Sequence, residues 1–90
     1  MSIEYLREFV YLSKTLSFSK TAKAFYVTHS VISKHISSME TELGVKLFVR
    51  NSHCVRLTRC GEAFLAEVKP IVRAYDGAVS KAAAVGQLQA

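Results

Sequence analysis

The sequence lacks any long apolar run and any segment that resembles a signal peptide. A transmembrane helix needs about 20 consecutive apolar residues, and no stretch of this chain approaches that length. The first residues, MSIEYLREF, do not show the basic start and apolar core of a secretory signal. We therefore expect a soluble protein that works in the cytoplasm, without a membrane partner.

Cysteine is scarce, and the residues that could bind a metal are scattered. Cys54 and Cys60 do not form a metal-ligand spacing with the histidines, and two cysteines are too few for a disulfide framework. We expect a reduced thiol at Cys54 and a small buried thiol at Cys60, with a redox-sensing pair as the alternative. The sequence also shows no nucleophile with a base, no paired acids and no metal cluster. We therefore expect neither an enzyme nor a cofactor.

Acidic residues are few. Seven Asp and Glu stand against twelve Lys and Arg, which leaves a net charge of +5 on a chain of 90 residues, enough for one small domain. This excess favours a polyanionic partner, although charge alone does not separate nucleic acid from a membrane surface. The deficit is also local, because the stretch VTHSVISKHI at positions 27–36 contains no acidic residue at all.

Hydrophobic periodicity predicts three helices in the first half of the chain. Residues 3–14 form the first, with Ser2 as its N-cap. A second, short helix covers KTAKAF and is capped by Ser17 or Ser19. Thr28 caps the third, and Gly44 ends it in a left-handed conformation. The 4-3-4 spacing of its apolar residues predicts one inward stripe, made of Ile32, Ile36, Met39 and Leu43.

The opposite face of the third helix is polar, small and free of acidic groups. At 100° per residue it is flanked by His29 at its N-terminal end and carries Ser30, Ser33, Lys34, Ser37 and Thr41. Short polar side chains suit a DNA major groove, because bulky ones would hold the helix away from the base edges. The exposed N–H groups of a helix N-terminus also favour a phosphate.

A basic hairpin follows the helices. The segments KLFVR and CVRLT are strand candidates around the turn NSH, with Val55 and Leu57 on one face and Arg56 on the other. Two helices of unequal length joined by a short turn, followed by such a hairpin, predict a winged helix-turn-helix. The expected fold class is therefore mainly α, with three helices, a two-stranded wing and a long linker helix.

The last third of the chain predicts a dimerisation helix. Thr58 is its expected N-cap, and a 4-3 heptad seam runs through Phe64, Val68, Ile71, Tyr75, Ala78, Ala82 and Val85. A helix of about 30 residues is some 45 Å long, which one small domain cannot cover, so the far half of the seam needs a second copy. Pro70 interrupts the helix and predicts a bend.

Two stretches carry a family resemblance: FSKTAKAFYVTHSVISKHISSMETELGVKLFVR and VRLTRCGEAF. They strongly resemble the N-terminal domain of LysR-type bacterial transcription regulators over nearly the whole chain. The resemblance implies a DNA-binding domain at 1–57 and a linker helix at 58–90 that ends near a hinge. It also implies a dimer on a pseudo-palindromic operator, with a tetramer as a further state of the full-length protein. A small-molecule effector would bind only a C-terminal domain that this sequence does not contain.

The same resemblance bears on several of the expected DNA contacts, and the polar helix face and the basic hairpin supply the others. Ser33 and Lys34 match family positions on the reading face, whereas His29 and Ser30 stand where the family usually has Gln-Pro. His53 takes the place from which family wings enter the minor groove. His35 is expected to pack inward. The complete set of expected DNA contacts is Lys20, Thr28, His29, Ser30, Ser33, Lys34, Ser37, Arg50, His53 and Arg56. The alternative is a winged-helix protein-interaction module without sequence-specific DNA binding.

Overall fold

The computed structural model describes residues 1–89 and contains four helices and one two-stranded sheet in that range. This arrangement confirms the predicted winged helix-turn-helix with a long C-terminal helix. No helix within the described range is long and apolar enough to cross a membrane. The elements in chain order are α1 (Ile3–Thr15), α2 (Phe18–Ala24), α3 (His29–Leu43), β1 (Phe48–Arg50), β2 (Val55–Leu57) and α4 (Arg59–Gln89).

Side-chain caps explain where the first three helices begin. Ser2, Ser17 and Thr28 each accept a hydrogen bond from the backbone N–H three residues later, at 3.1–3.3 Å. Ser17, rather than Ser19, is therefore the cap of α2, and this helix begins two residues before the predicted segment. Gly44 ends α3 with a φ of 75°, a left-handed conformation that glycine adopts without strain.

The core is formed where α3 and α1 meet the wing. Ile32, Ile36 and Met39 are completely buried, as the spacing predicted. Leu43 is not, because 36% of it remains exposed. It lies in the last position of α3, where the chain turns away into the wing, so the predicted inward stripe is one residue too long. Aromatic rings close the core, with the Phe9 centroid 5.6 Å from that of Phe48.

The wing is an antiparallel pair in which Val49 lies opposite Arg56. Its turn is tightened by Asn51, whose side-chain oxygen accepts hydrogen bonds from the backbone N–H groups of His53 and Cys54 at 2.8 and 2.9 Å. Cys54 is exposed at this turn. The prediction that Cys60 is a buried thiol is wrong, because it lies in the first turn of α4 on the side that faces away from the core and is exposed.

Two residues attach the start of α4 to the wing. The Thr58 hydroxyl donates to the Lys46 carbonyl at 2.6 Å and accepts from the Gly61 N–H at 3.0 Å, which confirms Thr58 as the N-cap. Gly61 is buried, and a Cβ atom there would lie 2.1 Å from the Leu47 carbonyl oxygen. Only glycine therefore allows α4 to pass this close to the end of the wing.

Helix α4 packs on the domain with its first half and leaves it with its second. Val68 is 1% exposed and belongs to the same core as Phe9. The Arg7 guanidinium forms two hydrogen bonds with the Asp76 carboxylate, at 2.6 and 3.1 Å. Beyond this pair every described residue of α4 is exposed. The helix continues through Pro70, and the predicted end of the linker at residue 90 lies outside the described residues.

Candidate nucleic-acid interface

The N-terminal end of α3 is exposed and carries the predicted reading residues. His29, Ser30 and Lys34 are all solvent-exposed, and Thr28 holds the first turn by accepting from Val31 N–H at 3.2 Å. The N–H groups of His29 and Ser30 find no hydrogen-bond acceptor elsewhere in residues 1–89. These groups carry the partial positive charge of the helix end. The site can therefore bind an anion or a hydrogen-bond acceptor.

Arg50 joins the polar face of α3 to the wing. Its guanidinium donates to the Ser33 hydroxyl at 2.8 Å and to the Ser37 hydroxyl at 3.1 Å. A third bond, at 3.4 Å, runs to the Glu40 carboxylate, which is also its ion-pair partner. Three residues that were predicted separately as DNA contacts are thus brought together in one network.

Glu40 is the member of this network that sequence reasoning missed. It is 4% exposed, and its second carboxylate oxygen accepts from the backbone N–H groups of Leu47 and Phe48 at 2.8 and 3.3 Å. The carboxylate thereby fixes the start of β1 to α3 and holds Arg50. A signal was present in the sequence, because Ser33, Ser37 and Glu40 follow a 4-3 spacing and so lie along one side of α3.

The aromatic ring of Phe18 supports the same face from beneath. The Arg50 guanidinium carbon lies 4.8 Å from the ring centroid, and the His29 imidazole is stacked on the ring with centroids 5.3 Å apart. Phe18 itself is 6% exposed. The predicted base-reading histidine is therefore an exposed residue whose ring plane is set by its contact with the core.

The wing and the start of α2 present further basic or polar groups to solvent. Lys20, His53 and Arg56 are all exposed. Arg56 forms no hydrogen bond or ion pair with another residue in the described part of the chain, whereas Arg50 forms several. The two wing arginines, which the sequence treated alike, differ in their surroundings. Of these two arginines, only Arg56 has a guanidinium without a partner in residues 1–89.

His35 packs inward, as predicted. Its Nδ1 lies 2.6 Å from the carboxylate of Glu8, and its ring is stacked on Tyr5 with centroids 4.2 Å apart. Glu8 is 6% exposed and lies on α1. His35 therefore ties α3 to α1 and does not belong to the exposed polar face.

The structure divides the predicted dimerisation seam into a part that packs within the domain and a part that stays exposed. Val68 lies in the core and Phe64 packs against it, so neither presents a free surface to a second copy. The apolar residues that stay open begin one turn later. Ile71 is 51% exposed, Tyr75 46%, Val79 54% and Val85 47%, and Ala78 and Ala82 lie exposed between them.

The sequence of this chain matches the model of one known protein family. The model described as "Bacterial regulatory helix-turn-helix protein, lysR family" matches residues 3–62, which include α1, α2, α3 and the wing. The chain belongs to the LysR family. This membership agrees with the resemblance seen in the sequence, and it is a family of transcription regulators rather than of enzymes.

Individual relatives agree with this membership. The HTH-type transcriptional regulator HdfR of Salmonella newport is 36% identical over 78 residues, 87% of this chain and 28% of the relative. The BenM DNA-binding domain, solved as a complex with DNA of catB site 1, is 29% identical with a TM-score of 0.89, covering 96% of this chain and 97% of that one. Vibrio fischeri DarR in complex with DNA also has a TM-score of 0.89, at 27% identity, covering 98% of this chain and 30% of that one.

The match to the curated relatives is confined to one part of them. The chain spans about 28% of the length of HdfR. The BenM DNA-binding domain, in contrast, is covered almost entirely. What this chain shares with the LysR family is therefore the helix-turn-helix region and the helix that follows it.

Proposed function

We propose that this chain binds double-stranded DNA in a sequence-specific manner, as the DNA-binding domain of a LysR-type transcription regulator. The observation that carries the proposal is the exposed face of α3, which is polar, small and without an acidic group between Thr28 and Ser38. Helix α3 and its N-cap, together residues 28–43, enter the major groove. The wing, residues 47–57, contacts the backbone and the minor groove.

The surroundings of each residue suggest a division of roles within this interface. His29, Ser30, Ser33 and Lys34 face the base edges, where donors and acceptors differ between base pairs. Lys20 and Arg56 meet phosphates, because they are exposed cations at the two ends of the interface. His53 reaches the minor groove from the wing turn. Thr28, Ser37 and Arg50 complete the interface and hold its shape.

The active form is a homodimer joined through α4, and the full-length protein forms a dimer or a tetramer. The open apolar stripe from Ile71 to Val85 supports the dimer, since one small domain leaves it uncovered. The BenM and DarR complexes with DNA support the choice of partner. The protein acts where the DNA lies, in the cytoplasm. An effector, if the whole protein responds to one, binds outside this chain.

Selection of bound sequences from a random pool of DNA duplexes tests the proposal. We expect enrichment of a pseudo-palindrome whose half-sites lie about one helical turn apart, because twofold-related recognition helices must enter successive major grooves on one face of the DNA. Footprinting of the selected duplex should show both half-sites protected together. A pool that stays random under low-salt conditions would favour the protein-interaction module instead.

A further inference from the structure

In the hydrogen bonds around Arg50, the chemistry of the side chains decides which group donates and which accepts. A guanidinium can only donate hydrogen bonds, whereas a serine hydroxyl can donate one and accept two. In the contacts at 2.8 and 3.1 Å the hydroxyl oxygens of Ser33 and Ser37 must therefore be the acceptors. Each hydroxyl proton is consequently turned away from Arg50.

Those two hydroxyl protons are not used inside the chain. A serine or threonine in a helix commonly donates to the carbonyl four residues earlier, as Thr41 does to Ser37 at 3.0 Å. Within residues 1–89 neither Ser33 nor Ser37 donates such a bond. Their protons are available at the face that points away from the core. Each serine can thus act as a donor toward a bound molecule.

Arg50 cannot easily turn away to release the serines. Its carboxylate partner, Glu40, is buried and is itself fixed by two backbone N–H groups of the wing. The planar guanidinium also lies over the Phe18 ring. A planar guanidinium that is held by a carboxylate on one side and by an aromatic ring on another keeps one orientation. The positions of the two serine hydroxyl oxygens are therefore built into the fold.

We propose that Arg50 is a positioning residue that holds the Ser33 hydroxyl in one place against the bases, with Ser37 held in the same way beside it. The proposal rests on the DNA-binding function proposed above. In the major groove guanine, adenine and thymine each offer an acceptor, whereas cytosine offers only the N4 amino donor. Ser33 keeps its proton and one lone pair for the base that it faces, so the place at which its oxygen is held decides which of these groups it can reach. A serine free to change position could adapt to each base and would discriminate less.

The test uses duplexes that carry each of the four bases at every position of the selected half-site. The position that Ser33 faces is the one at which Ser33→Ala changes the base preference. There we expect the unaltered protein to bind its preferred base about threefold to tenfold more tightly than the least favoured base, the range of one hydrogen bond. Arg50→Lys should abolish this difference, because an ammonium group cannot hold Ser33, Ser37 and Glu40 together.

The base preference of Arg50→Lys, at an unchanged salt slope, separates positioning from a phosphate contact. Arg50→Lys keeps the charge, so a simple phosphate role predicts an unchanged base preference, whereas the positioning role predicts its loss with an unchanged salt slope. In the Ser33→Ala background, Arg50→Lys should have no further effect on the preference at that position. Arg56→Lys is the matched control, since Arg56 has no partner in residues 1–89. It should leave the base preference at the position that Ser33 faces intact.

Two outcomes would overturn the inference. Ser33 is half-buried and outside the core, so an equal loss of affinity on all duplexes by a folded Ser33→Ala protein would make Ser33 a phosphate contact. An unchanged base preference at this position in a folded Arg50→Lys protein would show that Arg50 does not position Ser33. In both cases binding of the unaltered protein to its selected duplex would leave the proposed function standing. Absence of that binding would instead remove the function itself.

Discussion

Phe18 shows how a core residue can set the geometry of an exposed one. Its ring is almost buried, yet it contacts the two side chains that lie at opposite ends of the reading face, Arg50 and His29. Stacking fixes the plane of the imidazole, so that one ring edge faces solvent at the start of α3. The residue is therefore prepared for a directed hydrogen bond before any partner arrives.

Replacing His29 by alanine should change base selection more than overall attraction to DNA. An imidazole can present only one nitrogen to a base edge, which is less than the two-point contact of a glutamine with adenine. We expect His29→Ala to cost roughly 1–3 kcal/mol on the preferred site, to relax the choice at one base pair per half-site and to leave the salt slope nearly unchanged. Titrations against every base at each half-site position measure all three quantities.

A uniform loss across all sequences would instead make His29 a backbone contact. The variant His29→Gln serves as the comparison, because it restores a side chain that can contact adenine at two points. It should shift the preference at the same base pair toward adenine. Thermal unfolding followed by circular dichroism shows whether loss of the stack on Phe18 has affected the fold.

Arg56 should behave as a phosphate contact. With two copies in a dimer, Arg56→Ala should flatten the log–log salt slope by about one to two units and weaken all sequences about equally. If Lys20 and Arg56 meet phosphates in both subunits, the slope of the unaltered dimer reaches about −4 at most. Arg73→Ala on α4 is the control, because it removes the same charge from an exposed position outside the proposed interface. A steeper or unchanged slope for Arg56→Ala would contradict the assignment.

The sequence predicted which side chains share one face of a helix, but it did not predict which side chains of different elements meet. Spacing placed Ser33 and Ser37 on one face of α3, and the structure agrees. It could not show that Arg50, on β1, reaches across to them, because the register of the wing against α3 depends on Glu40 and the backbone of Leu47. Arg50 and Arg56 look equivalent in the sequence for the same reason.

At the scale of elements, capping and periodicity predicted the helices themselves better than they predicted every helix boundary. The caps Ser2, Thr28 and Thr58 were identified correctly, since each precedes an apolar period and has the side chain that a helix start requires. The seven-residue α2 is too short to show a full stripe, so two serines competed as its cap and the wrong bounds followed. Leu43 satisfied the period of α3 but lies where the chain leaves the core.

The orientation of α4 on α1 depends partly on an exposed ion pair. Hydrogen bonds from Arg7 hold the pKa of the Asp76 carboxyl below its ordinary value, and the same bonds raise the pKa of Arg7. Arg7 also lies over the ring of Tyr75, with 5.5 Å between the guanidinium carbon and the ring centroid. The pair therefore lies at the point where α4 leaves the rest of the fold.

The contribution of this pair should depend on pH in a defined direction. Because the folded-state pKa of Asp76 is lowered, the stabilisation is present above the ordinary value of 3.8 and is lost as the pH falls through the folded-state value. We expect Asp76→Asn to lower the melting temperature at neutral pH and low salt. The gap to the unaltered protein should close below about pH 4 and also at high salt. A gap that is independent of pH would assign the effect to lost packing.

For the whole molecule, the decisive feature is the length of α4 relative to the domain. Its 31 residues span about 46 Å, whereas the second and third dimensions of the protein are only 26 and 20 Å. The part from Ile71 to Val85 carries an apolar stripe that residues 1–89 leave about half exposed. The sequence predicted this stripe but began it at Phe64, because periodicity does not distinguish burial within a subunit from burial between subunits.

The open stripe predicts that a dimer forms through the second half of α4. Replacing Ile71 and Tyr75 together by aspartate should yield a folded monomer, because two buried charges would then meet their symmetry mates in an apolar contact. The core is not touched by either change, since both side chains are about half exposed. The control places the same pair of charges at Ser80 and Ala84, one turn apart on the opposite side of the helix at 100° per residue. Light scattering should report a monomer for the first variant and a dimer for the control, and only the control should protect both half-sites in a footprint. A dimer mass for the variant with both Ile71→Asp and Tyr75→Asp would place the interface elsewhere. A monomer for the control as well would show that added charge on α4, rather than loss of the apolar stripe, separates the subunits.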